Sequence, residues 1–409
     1  MRKITIVGGG QSGLQLAIAL LKQDYEVCVV TNRSAEDVRT GRVLSSQCMF
    51  GNSLDIERRL KLNFWEEECP NVEGVGLAIV GPEQTRVVDW KYRLTAPAQS
   101  TDQRVKVPAW MQHFEEAGGQ LVIHDAGMAD LESYAKNSDL VIIAAGKGEI
   151  SQMFERDDER SAFDKPMRAL ALTYVNGMQA QADFSHVGFN IIPGVGEYFS
   201  FPALTTNGPC DIMVFEGIVG GEMDCWQDVK TPVQHLQRSQ EILAKYMPWE
   251  AARCQNIELT DANGILAGRF PPTVRKPIGR LPSGALVLGM ADVVVLNDPI
   301  TGQGSNNAAK CADVYASAIV NRQGEPFDAA WMQDTFERYW DYAQWVAAWT
   351  SGFLLPPAEH VQKLLGAAQD IPRIGQAFVD GFNHPPSYFP WFADPKEADA
   401  FIQRHSQAA

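Results

Sequence analysis

The feature that most constrains this chain is a glycine-rich turn close to its first residue. Lys3–Val7 is a short apolar run rich in β-branched residues, and Leu14–Lys22 has the composition of a helix. Between them lies a G-x-G-x-x-G motif made by Gly8, Gly10 and Gly13, with Gln11 and Ser12 in the variable places. In a strand–turn–helix unit, such glycines allow a tight turn, close approach of a pyrophosphate and close helix–strand packing. The motif therefore predicts a dinucleotide site at a helix N-terminus.

The cofactor is not decided by this motif alone. A second strand predicted over Tyr25–Thr31 completes a βαβ unit, and an acidic residue usually follows such a strand to bind the adenosine ribose. Here the place is taken by Thr31, Asn32 and Arg33. Thr31 or Asn32 can still bond a ribose, and Arg33 can face a phosphate or the adenine. NAD, NADP and FAD therefore all remain open at this point.

Composition narrows the class of protein and of partner. The 409 residues are 45% hydrophobic and 21% charged, as in globular enzymes. The net charge of -15 argues against nucleic acid and anionic membranes as partners. We expect a cytoplasmic protein, because no signal peptide or membrane span is recognisable. Seven scattered cysteines without C-x-x-C indicate free thiols, and seven histidines without H-x-x-H or H-x-x-x-H spacing indicate no metal site.

The order of predicted elements suggests two interleaved domains and a helical end. An apolar strand over 138–146 suits a buried parallel sheet, whereas short strands between 169 and 218 suit an antiparallel one. From Asp328 the chain is mostly helical, and the spacing of its aromatic residues, including Trp345 and Trp349, indicates a core, with an aromatic substrate cage as the alternative. The predicted domains are an FAD-binding domain (1–50, 95–160 and 280–322), a substrate domain (51–94 and 161–279) and a C-terminal helical region (323–409).

Three distant segments together resemble the p-hydroxybenzoate-hydroxylase-like flavoproteins. They are the glycine motif, the apolar strand ending at Gly146, and Asp292 followed by the Asp298–Gly304 turn. The resemblance implies an α/β fold: an FAD-binding Rossmann fold with an interleaved antiparallel substrate domain and a helical C-terminal part. It also implies that Asp292 binds the ribityl chain of FAD and that a helix N-terminus faces the flavin ring. The family's Gly-Asp pair is Ala291-Asp292 here, and Asp298 is expected to be an N-cap rather than a base.

Within that group the chain resembles the styrene and indole monooxygenases, which are two-component epoxidases. The resemblance implies that a separate NADH-dependent flavin reductase supplies reduced FAD, and that molecular oxygen forms a flavin hydroperoxide which epoxidises an alkene. The middle segment lacks the Asp-Gly motif of single-component hydroxylases, and we expect no fused reductase, which would need roughly another domain. The expected cofactor-binding residues are Gly8, Gly10, Gln11, Ser12, Gly13, Thr31, Asn32, Arg33, Arg42, Gly146, Asp292, Pro299, Gly302, Gly304, Ser305 and Asn306.

The segment after the first βαβ unit carries the substrate prediction. Where styrene-type members have Asn, Val and His, this chain has Ser45, Gln47 and Met49, which resembles the indole-type pattern. Polar Ser45 and Gln47 suit an indole N–H, and methionine adapts to an aromatic ring. The expected pocket consists of Leu44, Ser45, Gln47, Met49, Val72 and Val75. The alternative is that these residues only pack the domain junction.

We therefore expect an FAD-dependent monooxygenase that epoxidises indole toward indoxyl and indigo, and also styrene-like alkenes. It should be a monomer or homodimer that binds small aromatic substrates. The alternatives are a styrene monooxygenase proper, a single-component NAD(P)H-dependent hydroxylase or another flavoprotein of the same fold, and a flavin-binding protein without turnover.

Overall fold

The computed structural model describes residues 1–145 and 149–406. These residues form a six-stranded sheet, an eight-stranded sheet, a two-stranded pair and surrounding helices. The strands are β1 (Lys3–Val7), β2 (Glu26–Thr31), β3 (Asn71–Val80), β4 (Arg86–Gln99), β5 (Gln120–Ile123), β6 (Leu140–Ile143), β7 (Arg168–Asn176), β8 (His186–Ile192), β9 (Gly196–Thr205), β10 (Gly208–Ile218), β11 (Glu258–Leu259), β12 (Ile265–Gly268), β13 (Thr273–Val274), β14 (Ile278–Arg280), β15 (Leu286–Gly289) and β16 (Val295–Leu296). The helices are α1 (Gln11–Leu21), α2 (Ala35–Thr40), α3 (Gly51–Leu60), α4 (Gln103–Glu116), α5 (Met128–Asn137), α6 (Glu149–Gln152), α7 (Pro232–Tyr246), α8 (Pro248–Arg253), α9 (Gly304–Arg322), α10 (Ala329–Phe353), α11 (Glu359–Asp370), α12 (Pro372–Gly381) and α13 (Pro395–Ser406).

The six-stranded sheet has the order β14-β15-β6-β1-β2-β5. All neighbouring pairs are parallel except β14 with β15. Helices cover the sheet, so its central strands are continuous apolar runs, as in the buried Leu140–Ile143. The parallel sheet that the sequence predicts is therefore present, and the carboxyl ends of β15, β6 and β1 meet at one edge.

The eight-stranded sheet has the order β11-β7-β10-β9-β8-β3-β4, with β12 also paired to β7. It is antiparallel except for β3 with β8, which are parallel. The side chains of Val75 and Leu77 on β3, together with Phe189 on β8, belong to one face and pack into an apolar core. Gly76 and Gly188 pair with each other and belong to the opposite face.

The C-terminal helices cover the apolar face of this second sheet, and most of the chain from residue 328 is helical, as predicted. The Trp90 indole on β4 donates to the carbonyl oxygen of Leu365 at 2.8 Å. Its ring meets Phe378 edge-on, with ring centroids 5.5 Å apart. No helix in the two described ranges is long and apolar enough to cross a bilayer.

Two of the predicted domain limits fall inside strands of the structure. The limit between 94 and 95 falls inside β4, and the limit between 279 and 280 falls inside β14. β4 is a 14-residue strand whose last residues approach the six-stranded domain, where Met49 pairs with Gln99. The division of the chain into domains remains a prediction.

Candidate flavin and substrate site

The glycine turn between β1 and α1 has the close contacts that its motif requires. Gly8 has a φ of +130°, and a Cβ there would lie 2.6 Å from the carbonyl carbon of Ala144. A Cβ on Gly13 would lie 2.0 Å from the Gly8 carbonyl oxygen. Around Gly10, by contrast, no heavy atom lies within 4 Å of a Cβ position, and no side chain caps α1. The N–H groups of the first turn of α1 are therefore accessible to an anion.

Helices α1 and α9 lie side by side and run in the same direction. Gln11 Nε2 donates to the carbonyl oxygen of Ser305 at 3.2 Å, and one turn later Gln15 Nε2 donates to that of Ala309 at 2.9 Å. Helix α9 also lacks a side-chain cap, and neither helix has an acidic residue in its first turn. Two positive helix ends next to each other favour an anionic ligand.

Asp292 follows β15 at the edge where three parallel strands end, and it is exposed. Ala291 before it has a φ of +50°, and its N–H donates to Cys311 Sγ at 3.3 Å. This left-handed backbone costs an alanine about 1 kcal/mol, whereas glycine adopts it freely. The chain thus keeps the backbone conformation that the family's glycine favours, although the glycine itself is replaced.

The turn from Asp298 to Gly304 leads into α9, and we call it the flavin-facing turn after the role expected from the sequence. Asp298 Oδ1 accepts from the Ile300 N–H at 3.1 Å, so Asp298 is the N-cap of the 3-10 turn Pro299–Thr301, as expected. Gly302 has a φ of +64°, and there is open space at the Cβ positions of both Gly302 and Gly304. A ligand can therefore approach this backbone closely.

Buried amides near this turn lack partners within the protein. In the described ranges, Gln303 Oε1, Asn297 Nδ2 and both side-chain amide atoms of Asn307 are buried without a hydrogen bond. Leaving such a group unpaired costs about 1–3 kcal/mol. A flavin ring carries N–H and C=O groups that could pair with them. The orphaned amides, the open glycines and the two helix ends together fit FAD.

The expected adenosine end of the site is less enclosed. Thr31 is half-buried beside the glycine turn, since a Cβ on Gly9 would lie 2.8 Å from its Cβ. Asn32, Arg33 and Arg42 are exposed. Ser12 is buried at the start of α1. Gly146 lies outside the described residues. The contacts of these residues with FAD remain predictions.

Asn306 connects the predicted substrate segment, which contains Ser45, Gln47 and Met49, to the start of α9. Its Oδ1 accepts from the Phe50 N–H at 2.9 Å. Its Nδ2 donates to the carbonyl oxygens of Cys48 at 2.8 Å and of Gly302 at 3.0 Å. One amide therefore connects residues 48–50 with the flavin-facing turn, which makes Asn306 a positioning residue in this structure.

Met49 is fully buried and points toward the six-stranded domain. It forms a small apolar cluster with Leu54 and Ala309, and its Sδ accepts from Gln11 Nε2 at 3.5 Å. Phe50 packs the other way, against Phe382, with ring centroids 5.5 Å apart. Met49 thus lies between the helix that begins at the glycine turn and α9.

Ser45 and Gln47 form a hydrogen-bonded group with a tyrosine that the sequence analysis does not identify. Ser45 Oγ donates to Gln47 Oε1 at 2.9 Å, and Gln47 Nε2 donates to the Tyr174 hydroxyl at 3.4 Å. That hydroxyl donates to the Ser45 carbonyl oxygen at 2.8 Å. Burial raises the pKa of Tyr174 well above its usual value of 10.0, so the phenol is neutral.

An apolar cavity of about 10 Å³ lies between β3, the flavin-facing turn and the C-terminal helices. At this size an aromatic substrate enters only if side chains move. Its lining is Val75, Leu77, Phe189, Ile300, Thr301, Trp349, Phe353, Phe378 and Phe382.

Of the six expected pocket residues, Val75 lines this cavity. Val72 is buried in β3, and Leu44 is 38% exposed. The aromatic lining from the C-terminal helices escapes sequence reasoning, because helical spacing of aromatic side chains is also typical of an ordinary core. Trp349 is in fact part of the core and of the cavity wall at once. The described residues contain no group of three or more His, Cys, Asp or Glu side chains placed to hold a metal ion.

Comparisons with known proteins find a family model, relatives and solved structures that are similar to this chain. Residues 146–253 match the family model described as "Styrene monooxygenase A putative substrate binding domain". Styrene monooxygenase StyA from Pseudomonas fluorescens is 27% identical, with 99% of this chain and 98% of that protein covered. StyA from a Pseudomonas species is 28% identical, with 97% and 96% covered. The structure of flavin-dependent brominase Bmp2 superposes with a TM-score of 0.69 at 14% identity, covering 99% of both chains.

These matches confirm the resemblance to styrene monooxygenases and the predicted fold class, whereas the indole-type pattern stays a prediction. The fold is that of the p-hydroxybenzoate-hydroxylase-like flavoproteins. The individual site residues remain predictions, supported by the geometry above.

Proposed function

We propose that this chain, which is a StyA-like FAD-dependent monooxygenase, transfers one oxygen atom from O₂ to the double bond of a small aromatic substrate, with indole preferred. The observation that carries the proposal is the apolar, aromatic-lined cavity beside the flavin-facing turn. Ile300 and Thr301 belong both to the cavity wall and to that turn. A substrate held there lies next to the element that faces FAD.

Bound reduced FAD supplies the redox chemistry, by activating O₂ and providing the electrons. The protein's task is to hold the cofactor, orient the alkene and exclude water. The N-terminal ends of α1 and α9 and the open glycines Gly10, Gly302 and Gly304 would hold FAD. The apolar walls would keep water from the reacting atoms.

The preference for indole is supported by the hydrogen-bonded group of Ser45, Gln47 and Tyr174. In this group Gln47 Oε1 accepts one hydrogen bond, from Ser45, and a carbonyl oxygen has a second lone pair. An indole N–H can use that acceptor, whereas styrene has no N–H to offer. Tyr174 and the Ser45 backbone hold the Gln47 amide in this orientation.

We further propose that reduced FAD comes from a separate NADH-dependent flavin reductase. The full-length similarity to StyA supports this proposal. The test mixes the purified chain with FAD, NADH and a flavin reductase, and supplies indole and styrene in competition. We expect oxidised indole to predominate, and no product when the reductase is omitted.

The outcomes separate the alternatives. Styrene oxide as the main product would contradict the indole preference and leave the monooxygenase reaction intact. Product formation with NADH or NADPH alone would instead identify a single-component enzyme. Absence of product from both substrates, despite FAD binding, would indicate a flavin-binding protein without this turnover.

A further inference from the structure

Four ionisable side chains meet in the interior at the start of the flavin-facing turn, and we call them the carboxyl cluster. They are Arg168 on β7, Glu197 on β9, Glu216 on β10, and Asp298, and none is more than 7% exposed. Glu216 lies directly opposite Glu197 in the pairing of β10 with β9. The cluster therefore joins the eight-stranded sheet to the turn.

The cluster has three carboxyl groups and one guanidinium group. Arg168 forms a bidentate ion pair with Glu197, at 2.7 and 2.9 Å. Its remaining hydrogen bonds go to the carbonyl oxygens of Met167, Phe353 and Leu354. Glu197 and backbone carbonyl oxygens thus accept the hydrogen bonds of the guanidinium group. With all four groups ionised the cluster would hold a net charge of about -2 in the interior, which is energetically costly.

Within the carboxyl cluster, the carboxyl groups of Glu216 and Asp298 are each other's hydrogen-bonding partners. Within the described ranges, no N–H or O–H of another residue reaches either oxygen of Glu216 or the Oδ2 of Asp298. Their side chains are close enough to hydrogen-bond to each other. Two buried carboxyl groups in contact are compatible only when one proton lies between them.

We propose that Glu216 and Asp298 share one proton, and that this proton prevents a second buried negative charge behind the flavin-facing turn. Glu216 donates to Asp298 Oδ2, while Asp298 Oδ1 caps the Ile300 N–H. Glu216 is thus a positioning residue that acts through Asp298. The inference rests on the proposed function, because the turn matters only if it faces FAD.

The charges around the pair set the direction of its pH dependence. Burial, and then the charge of Asp298, raise the pKa of Glu216 well above 4.5, while Glu197 raises it further and Arg168 opposes the shift. Burial also raises the pKa of Asp298. At the end of α10, the carbonyl oxygens of Phe353 and Leu354 accept hydrogen bonds from Arg168 and carry no titratable charge. Raising the pH therefore removes the shared proton and adds negative charge behind the turn.

Reduced FAD carries an anionic ring at neutral pH, whereas the oxidised ring is neutral. Loss of the shared proton should therefore weaken the binding of reduced FAD more than that of oxidised FAD. For wild type we expect the Kd of reduced FAD to rise about fivefold more than the Kd of oxidised FAD as the pH is raised above neutral until the shared proton is lost, a typical coupling between two sites. Glu216→Gln keeps a neutral hydrogen-bond donor and should remove that extra rise.

The experiment has two readouts on the full chain. Infrared difference spectroscopy without flavin should show a protonated carboxyl band near neutral pH that disappears in Glu216→Gln. It should also disappear in Asp298→Asn, whose amide can donate to an ionised Glu216. Anaerobic fluorescence titrations with oxidised and reduced FAD then measure both Kd values across the pH range.

Asp211→Asn is the matched control, because Asp211 lies on the same strand but on the opposite face. Burial raises the pKa of its carboxyl to about 6. This variant should keep both the Glu216 band and the extra pH dependence. A wild type without the band, or a Glu216→Gln variant with the wild-type pH dependence, would overturn the proposal. Failure of the chain to bind FAD would contradict the proposed function and leave the infrared result standing.

Discussion

Gln11 Nε2 donates to the carbonyl oxygen of Ser305 at 3.2 Å, and this bond joins the first turns of two helices that begin 293 residues apart. The orientation of the Gln11 amide is set from a third element, because its Oε1 accepts from Gln103 Nε2 at 2.8 Å. The turn expected to hold the pyrophosphate and the turn expected to face the flavin ring are thus connected through one side chain. Each helix end supports the position of the other.

Gly10→Val tests the pyrophosphate site separately from the fold. The open space around Gly10 should accommodate the side chain, so we expect the melting temperature to change by less than about 2 °C. The added methyl groups would occupy the space in front of α1, and the Kd for FAD should rise at least about tenfold, or about 1.4 kcal/mol. Fluorescence titration measures that Kd. Gly366→Ala, at an open helical position in α11, is the control and should leave the Kd unchanged; an unchanged Kd in Gly10→Val would remove this turn from the cofactor site.

Val75→Phe tests the cavity as the substrate site. The larger side chain fills space between β3 and the flavin-facing turn, so KM for indole and styrene should rise about tenfold while the Kd of FAD stays the same. Steady-state kinetics with a reductase gives both constants. Ala78→Val changes the same strand on its opposite face and should not alter KM. Equal effects of the two variants on KM would mean that the cavity does not receive the substrate.

Ala291→Gly tests the left-handed backbone before Asp292. Glycine relieves the cost of a positive φ, although it also makes the unfolded chain more flexible. We expect the free energy of unfolding to increase by about 0.5–1 kcal/mol, as measured by urea denaturation. A β-branched residue at the same position, as in Ala291→Val, should lower it. If the glycine variant is less stable than wild type, the backbone at this position is not strained.

His235 predicts a pH dependence of stability. Burial lowers the pKa of this histidine to about 4 in the folded protein, from 6.5. The contribution of neutral His235 to the free energy of unfolding is therefore fully present above about pH 6.5. It is lost as the pH falls toward about 4, which lowers that free energy by at most about 3 kcal/mol. Urea denaturation at several pH values gives the free energy of unfolding, and His235→Leu should make this free energy less dependent on pH over this range. The exposed His124→Leu is the matched control, and a His235→Leu variant with the wild-type slope would contradict the expectation.

Sequence reasoning succeeds where the structure is determined locally. The sequence of Pro232–Tyr246, which ends before Pro248, predicts a helix, and α7 is observed over these residues. Thr231 and Gln234 form its capping box, and Pro248 prevents its continuation. The glycine turn is predictable for the same reason, since its close contacts depend on residues near in sequence or on one neighbouring strand.

The parts that sequence reasoning misses are made by distant residues. The two-residue strands β13 and β16 have no periodicity of their own and exist because they pair with each other. The partnership of Glu216 with Asp298 and the convergence of Trp349 with Val75 depend on the packing of separate elements. Side-chain type alone cannot distinguish such residues from ordinary core or N-cap positions.

The interleaving of the two sheets has a consequence for folding during synthesis. β3 pairs with β8, which is made more than 100 residues later, and β6 pairs with β15, which begins at Leu286. Each sheet therefore keeps an unpaired strand edge while the other is being made, and contacts of such long sequence separation form slowly. A nascent chain that has not reached Leu286 exposes the backbone of β6, where strands of other chains can pair and begin aggregation.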